Sequence, residues 1–249
     1  EIQITLDDGS IIKQYGSLAL WQLYRGTFNV STPYLLQSVL MALENWLLQL
    51  AETVHTNDSA ENKVYKDALY YSFDYLLKES NSVATTSVLV SVAVAYPELF
   101  IDRMMSLLKV KELYSWDLMK VEHERKPISF LPDPKEKICL EERMKSYNLP
   151  HRKIPLEHFV IRRLLARQGE EIFPILDWFY AQNPQEESWI LALNRMDIRK
   201  WEATPIDEGY LIQPKFEEDL QEVVEKAQKP LKEHNDTFNA AMLGQKLVK

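Results

Sequence analysis

The strongest pattern in the chain is an uncharged segment, residues 82–96 with the sequence SVATTSVLVSVAVAY, which Pro97 ends. Its Val and Thr content is compatible with two strands. A helix is favoured because Ser82 suits an N-cap, no turn residue interrupts the run, and the run exceeds the usual length of a strand. It is too short and too rich in Ser and Thr to span a bilayer. We predict a buried helix.

The second apolar segment, residues 33–54, repeats its large side chains every three or four positions. Thr32 and Pro33 supply an N-cap hydroxyl and a first-turn proline. Its apolar arc is wide, which predicts a helix with neighbours on more than one side. The same reasoning predicts further helices at residues 17–24, 63–80, 99–108, 112–121, 135–147, 156–168, 170–182 and 185–195.

The two ends of the chain follow other patterns. In residues 1–15, Ile2 and Ile4 alternate with polar residues ahead of an Asp8-Gly9 turn, which predicts a β-hairpin. Residues 201–216 have no clear period, and we predict an irregular segment with a short strand at 210–213. Residues 217–247 have a charged helical pattern that Pro230 breaks or kinks.

The predicted fold class is all-α: an irregular helical array, α-solenoid or bundle-like, with a short N-terminal β-hairpin. The scarcity of glycine, six residues in 249, agrees with this class because sheet folds need glycine at many turns. The sequence KPISFLPDP marks the best internal boundary. We predict a hairpin and helical subdomain at 1–126, a Pro-rich link at 127–134, and a second helical subdomain with a charged C-terminal helix at 135–249.

Composition narrows the partner and the compartment. A formal net charge of −8 argues against nucleic acid, because phosphate binding needs a basic surface. Cys139 is the single cysteine, which excludes an intrachain disulfide and a Cys-rich zinc site and fits the reducing cytoplasm. No membrane partner is expected. The first residue, Glu1, is not an initiator Met, and we expect a piece of a larger protein.

Motifs for known chemistry are missing from the sequence. No glycines have the spacing of a phosphate-binding loop or a dinucleotide fingerprint, and no Gly-x-Ser-x-Gly turn is present. No two histidines have the three- or four-residue spacing that would direct both at one metal. We predict no catalytic residue, no cofactor and no metal site.

Two groups of charged residues are candidates for contacts. One is basic, and its members could contact an anionic partner: Arg152, Lys153, Arg162, Arg163 and Arg167. Arg163 and Arg167 are one turn apart on the predicted helix; the alternative is a solvated face that pairs with nearby glutamates. The other group is a possible structural bridge at a helix end, formed by Arg195, Asp197 and Arg199.

Three blocks carry a family resemblance: LWQLYRG at 20–26, SNSVA at 80–84 with the small-residue helix after it, and LNRMDIR at 193–199. They resemble helical segments downstream of the ATPase module in large bacterial ATP-binding proteins of the STAND type. The resemblance implies a segment of a defence or signalling protein whose helical array binds a trigger protein. The family's ATP-binding motifs have no match in this sequence.

The predicted function is therefore a non-catalytic scaffold or sensor segment that binds a protein partner or neighbouring domains of the same polypeptide. One alternative is a nucleic-acid-binding accessory domain that uses the basic group. Another is a hydrolase with an unrecognised carboxylate site. A deep pocket with perturbed carboxylates would favour the hydrolase, and an exposed apolar face would favour the scaffold.

Overall fold

The computed structural model describes residues 1–25, 34–57, 62–125, 145–206 and 209–216. These residues are mainly helical and begin with a short antiparallel hairpin, so the predicted fold class is confirmed. The chain divides into two compact units, Glu1–Arg162 and Arg163–Lys249. The predicted link at 127–134 and the charged segment at 217–247 lie outside the described residues. So does the predicted helix at 135–147, except for residues 145–147, which are helical.

The first unit consists of one hairpin followed by helices. Its elements are β1 (Ile2–Thr5), β2 (Ile11–Gln14), α1 (Leu18–Trp21), α2 (Tyr34–Thr56), α3 (Asn62–Glu79), α4 (Val83–Ala95), α5 (Pro97–Leu108) and α6 (Lys111–Arg125). Short 3-10 turns occur at Leu23–Arg25 and Pro150–Lys153. The division between the units falls within α7 (Leu156–Leu165).

The uncharged segment forms α4, which is the centre of the first unit. The Ser82 side chain accepts a hydrogen bond from the Ala84 N–H at 3.3 Å, as expected of an N-cap. Almost every residue of α4 is buried, because α1, α2, α3, α5 and both 3-10 turns pack around it. A helix without a polar face needs neighbours on all sides, and this packing supplies them.

The N-terminal hairpin is anchored to this core. Ile2 and Ile4 of β1 are buried, and Gly9 makes the turn with φ +78°, a conformation that glycine adopts without strain. After β2, the N–H of Tyr15 donates to the carbonyl of Asn81 at 2.7 Å. The following Gly16 leaves room for the ring of Trp116, which a Cβ would approach to 2.6 Å.

In its described residues, the second unit contains two short helices after the end of α7 and another hairpin. Its elements are a 3-10 turn at Glu170–Ile172, α8 (Phe173–Ala181), α9 (Glu187–Met196), a 3-10 turn at Ile198–Lys200, β3 (Trp201–Ile206) and β4 (Gly209–Pro214). The Phe179 ring of α8 meets the Trp189 ring of α9 edge-on, with centroids 4.9 Å apart. This aromatic contact joins the two helices.

The predicted helix at 156–168 ends earlier, at Leu165. Arg167 has a left-handed backbone, φ 55°, and its N–H donates to the Leu164 carbonyl at 3.0 Å. The Gln168 N–H donates to the Arg163 carbonyl at 3.0 Å. These two bonds are those of a Schellman ending, here with arginine at the position that glycine usually takes. Arg163 and Arg167 therefore do not share one helical face.

The segment at 201–216, predicted to be irregular with a short strand at 210–213, forms the antiparallel hairpin of β3 and β4. The predicted strand falls within β4, whereas β3 was not predicted. Pro205 hid β3, since proline argues against a strand unless it lies at an edge. Pro205 and Pro214 both meet that condition in the register described below. A regular ribbon is thus compatible with their missing N–H groups.

Candidate functional site

Helix α2 has a buried face and an exposed apolar face beside it. Leu40, Glu44 and Leu47 follow the helical period and point into the core of the first unit. Leu35, Val39 and Trp46 are spaced by four and seven residues and share another face, with 81%, 56% and 49% of their surface exposed. We call these three residues the α2 stripe.

The α2 stripe lies on a helix surface that carries no charge. Between Tyr34 and Ala51 the sequence contains a single charged residue, Glu44, and its side chain is buried. Surface helices of globular proteins usually place charged residues opposite their core face. An exposed helix with large apolar side chains and no charge is typical of a surface that another protein covers.

A second feature of the first unit is a network of charged groups inside it, the buried ion cluster, formed by Arg25, Glu44, Ser91, Glu124 and Arg152. Arg25 Nη1 lies 2.5 Å from Glu124 Oε2, and Arg25 Nη2 donates to Ser91 Oγ at 3.1 Å. Ser91 Oγ donates to Glu44 Oε1 at 2.6 Å. Arg152 donates to Glu44 and, at 3.3 Å, to Glu124 Oε1.

A smaller group of contacts extends this network along α6. The carboxylate of Asp117 accepts from the Trp21 indole N–H at 3.1 Å and from the Leu156 backbone N–H at 2.9 Å. The ammonium of Lys120 lies 2.5 Å from Asp117 Oδ1. Each of these polar groups is buried and bonded, as interior polar groups must be if they are not to destabilise the fold.

The cluster changes the acidity of Glu44. Burial alone raises the pKa of a carboxyl group, but the nearby His151 ring, the charges of Arg152 and Arg25 and the hydrogen bond from Ser91 outweigh burial here. The pKa of Glu44 is therefore held well below its usual range. His151 Nε2 lies 3.7 Å from Glu44 Oε1, which is an ion-pair distance and too long for a hydrogen bond.

This arrangement is suited to holding the fold together. The Ser91 hydroxyl donates to the Glu44 carboxylate and accepts from the Arg25 guanidinium, so it joins these two charged side chains inside the fold. The side chains of Ser91, Glu44 and Arg152 are buried. The cluster thus connects α2, α4, α6 and the 3-10 turn at Pro150–Lys153.

An open cleft of about 310 Å³ lies elsewhere in the first unit, between the turn that joins β1 to β2, α3 and α5. Its acidic side chains are partly paired: Arg103 binds Asp74 through two contacts of 2.8 and 3.0 Å, and Lys78 lies 3.5 Å from Asp8. The pKa of Asp8 is lowered, mainly by hydrogen bonds from Ser10. A carboxyl group that acts as a general acid needs a raised pKa, and Asp8 has the opposite shift.

The predicted anion-contact residues are in different surroundings. Arg152 is buried in the ion cluster, whereas Lys153 and Arg162 are exposed. Arg163 is half-buried, with Nη2 3.9 Å from Glu171 Oε1, and Arg167 is exposed after the helix end. Arg163 thus has a glutamate beside it, as in the alternative reading of this segment.

The predicted bridge residues surround the 3-10 turn at Ile198–Lys200. Asp197 is buried and caps the turn, since its Oδ1 accepts from the Arg199 backbone N–H at 3.1 Å. The Arg199 guanidinium binds Asp197 at 2.8 and 2.9 Å and Asp177 at 2.6 Å. The hydrogen bonds that Arg199 donates to these two carboxylates raise its pKa. The Arg195 carbonyl accepts from the Trp201 indole at 3.0 Å.

Sequence reasoning missed the buried ion cluster, although one signal pointed to part of it. Glu44 lies in the same helical register as Leu40, Leu47 and Ala51, all of which are buried. A lone charge in the core register of an apolar helix indicates a buried partner. No comparable signal in the sequence identifies the other members of the cluster, which are Arg25, Ser91, Glu124 and Arg152.

Within the part of the chain that the structure describes, no three side chains of His, Cys, Asp or Glu are grouped in a way that could hold a metal ion. Cys139 lies outside the described residues. None of the described helices combines the length and the apolar character that crossing a membrane requires.

The sequence matches no protein-family model and no curated protein. The resemblance of residues 20–26, 80–84 and 193–199 to STAND-type proteins stays a prediction.

Proposed function

We propose that this chain is a non-catalytic helical scaffold or sensor segment that binds a protein partner through the α2 stripe. The observation that carries the proposal is the exposure of Leu35, Val39 and Trp46 on a helix face without charge. Fully burying a large apolar side chain contributes roughly 1.5–3 kcal/mol, so a partner that covers these three gains several kcal/mol.

The character of the α2 stripe favours protein over nucleic acid as the partner. Nucleic acid would need cations along this face, and the chain as a whole carries a net charge of −8. Tryptophan is enriched among residues that dominate protein interfaces, and Trp46 is at the centre of α2. The buried ion cluster supports a scaffold role because Arg25 and Arg152 form their ion pairs with glutamates inside the fold.

The partner belongs to one of two classes: a separate protein, or a neighbouring domain of the same polypeptide. The resemblance to bacterial STAND-type proteins supports a cytoplasmic defence or signalling protein, in which such a segment senses a trigger protein. A cytoplasmic location also agrees with the single cysteine of the sequence.

Site-specific photocrosslinking in the full-length protein, expressed in its native cells, tests the proposal. A benzophenone amino acid at position 39 should crosslink one partner, or one other domain, about tenfold more than the same group at position 45. Asn45 is the matched control because it is exposed on the polar side of the same helix. Equal labelling from the two positions would overturn the proposal.

The identified partner then permits a binding measurement with purified proteins. Trp46→Lys should raise the dissociation constant at least about tenfold, because it places a charge in an apolar interface. Asn45→Lys adds the same charge to the neighbouring face and should change it less than about twofold. Equal losses from the two variants would assign the effect to net charge and reject the α2 stripe.

A further inference from the structure

The hairpin of β3 and β4, here called the ribbon, has two chemically different faces. Paired residues of an antiparallel ribbon point to the same face, and successive residues along each strand alternate between faces. The register pairs Trp201 with Pro214 and Pro205 with Tyr210. One face, which we call the apolar ribbon face, therefore carries Trp201, Ala203, Pro205, Tyr210, Ile212 and Pro214.

The opposite face is mixed. It carries Glu202, Thr204, Ile206, Leu211 and Gln213, and the Glu202 carboxylate pairs with the Lys215 ammonium. Polar side chains therefore share this face with two exposed apolar ones, Ile206 and Leu211.

The apolar ribbon face is open over most of its length. Tyr210 and Ile212 are 71% and 56% exposed, and Ala203 and Pro205 are also exposed. On this face, only Trp201 and Pro214, the residue pair at the base of the ribbon, are half-buried. A two-stranded hairpin is marginally stable unless something packs against one face, so this ribbon has the composition of a surface that a partner covers.

Each outer edge of the ribbon carries one proline, which disfavours the addition of a further strand. The Lys215 N–H donates to the Lys200 carbonyl at 3.0 Å, which sets the alternation of bonded and non-bonded pairs. Counting from it, Pro205 and Pro214 fall in non-bonded pairs, where backbone groups point outward. The outer edge of each strand thus has one position without an N–H donor, which disfavours strand addition.

The base of the ribbon is held in place by the bridge at Asp197. Arg199 ties this buried carboxylate to Asp177 on α8, and β3 starts two residues later. The Trp201 indole is fixed by its bond to the Arg195 carbonyl at 3.0 Å. Because these contacts fix the start of β3, binding a partner costs less conformational entropy than it would for a mobile hairpin.

The size of the apolar ribbon face limits what can cover it. Six residues of strand span about 20 Å, and two strands with their side chains are about 10 Å wide. The resulting area, roughly 200 Å², is far below the roughly 800 Å² per partner of a stable dimer. It matches one helix, which is about 10 Å across and reaches 20 Å in about 13 residues.

We propose that the apolar ribbon face binds one amphipathic helix of a protein partner, through an uncharged apolar stripe about four turns long. The proline at each edge disfavours a β-strand as the occupant, and the small area disfavours a second copy of this chain. The surface belongs to the second unit and is independent of the α2 stripe, so the failure of either proposal leaves the other standing.

Fluorescence anisotropy with a labelled model helix tests this proposal on the intact 249-residue chain. The probe is an acetylated peptide of about 14 residues with leucine at three- and four-residue spacing and equal numbers of Glu and Lys. A scrambled peptide of the same composition is the control. We expect saturable binding of the first peptide and at least about tenfold weaker binding of the second.

Variants locate the binding. Tyr210→Ser and Ile212→Ser should each weaken binding at least about tenfold. Leu211 is an exposed apolar residue on the mixed face, and Leu211→Ser should change binding less than about twofold. Slower hydrogen exchange of the β3 and β4 amides with the peptide bound would support the same contact. No saturable binding up to about 1 mM, or equal losses from Leu211→Ser and Ile212→Ser, would overturn the proposal.

Two further outcomes would assign the face to another occupant. A dimer in sedimentation equilibrium that Tyr210→Ser converts to a monomer would make a second copy the occupant. Tighter binding of an extended Thr- and Val-rich peptide than of the helix would indicate strand addition. Either result rejects the amphipathic helix.

Discussion

The hairpin β1–β2 in the first unit and the ribbon β3–β4 in the second are both two-stranded and antiparallel, yet their side chains have different surroundings. In β1–β2, Ile2, Ile4 and Gln14 are buried against helices. In the ribbon, Tyr210 and Ile212 are exposed although both have large, mainly apolar side chains. The first hairpin is part of a core, and the second provides surface.

The ion pairs of the two units differ in the same way. Glu44 is buried among Arg152, Arg25 and Ser91, while the Asp177 carboxylate that holds Arg199 is exposed. A buried charge that loses its partner is strongly destabilising, whereas an exposed pair contributes little. The contacts of Glu44 therefore stabilise the interior of the first unit, whereas the contact of Asp177 with Arg199 mainly orients a surface element of the second.

Glu44→Gln should give the largest difference between the two units. It leaves the guanidinium groups of Arg25 and Arg152 with less negative charge in a buried site, and we expect a loss of about 3–5 kcal/mol in the free energy of unfolding. Urea unfolding followed by circular dichroism measures it. Asp177→Asn makes the same chemical change at the surface and should leave the unfolding midpoint unchanged; similar losses would contradict the contrast.

Ile4→Ala and Ile212→Ala apply one substitution to both hairpins. Ile4 is fully buried, so its truncation should cost about 2–5 kcal/mol of unfolding free energy. Ile212 is exposed and should change that free energy by less than about 0.5 kcal/mol. The same urea experiment compares them, and a large loss at Ile212 would mean that the ribbon packs within the chain.

Gln14→Ala tests how the first hairpin is anchored. The Gln14 amide donates to the Leu77 carbonyl at 3.2 Å and accepts from the Thr86 hydroxyl at 2.6 Å. Removing it leaves both groups buried without that bond, and we expect a loss of about 1–3 kcal/mol. Gln213→Ala on the mixed face of the ribbon is the control, and a comparable loss there would remove the distinction.

Acid unfolding compares the wild type with Glu44→Gln. Because the folded protein lowers the pKa of Glu44, its contribution to stability is complete above about pH 5 and is lost as the pH falls further. Once the unfolded chain is protonated at this site, the loss is about 1.4 kcal/mol per pH unit. Stability measured between pH 5 and 3 should fall less steeply in Glu44→Gln, and equal slopes would refute this assignment.

The local features of the fold could be predicted from the sequence because their signals are local. The uncharged run that became α4, its cap at Ser82 and the alternation of Ile2 and Ile4 each depend on residues close in the chain. Of the ribbon, the strand at 210–213 was predicted, and β3 was missed because Pro205 weakened its strand signal. The ribbon's alternation of apolar residues, from Trp201 to Pro205 and from Tyr210 to Pro214, was present and would have revealed it.

The contacts of the predicted site residues were harder to predict, because their partners lie far away in the chain. Arg152 was grouped with neighbouring basic residues as a contact for an anionic partner, but in the structure its guanidinium is buried between Glu44 and Glu124. The sequence indicated a bridge among Arg195, Asp197 and Arg199 because these residues are close together in the chain. Asp177, 22 positions before Arg199, completes the bridge.

Periodicity, capping and composition were enough to determine a helical chain that starts with a hairpin, because the preferences behind them act within a few residues of the backbone. The meeting of Arg25, Glu44, Ser91, Glu124 and Arg152 depends on how helices distant in the chain pack, as does the exposure of Leu35, Val39 and Trp46. The spacing of apolar residues in the sequence predicts that one face of a helix or strand is apolar. Whether the face is buried depends on the neighbours that the folded chain places against it.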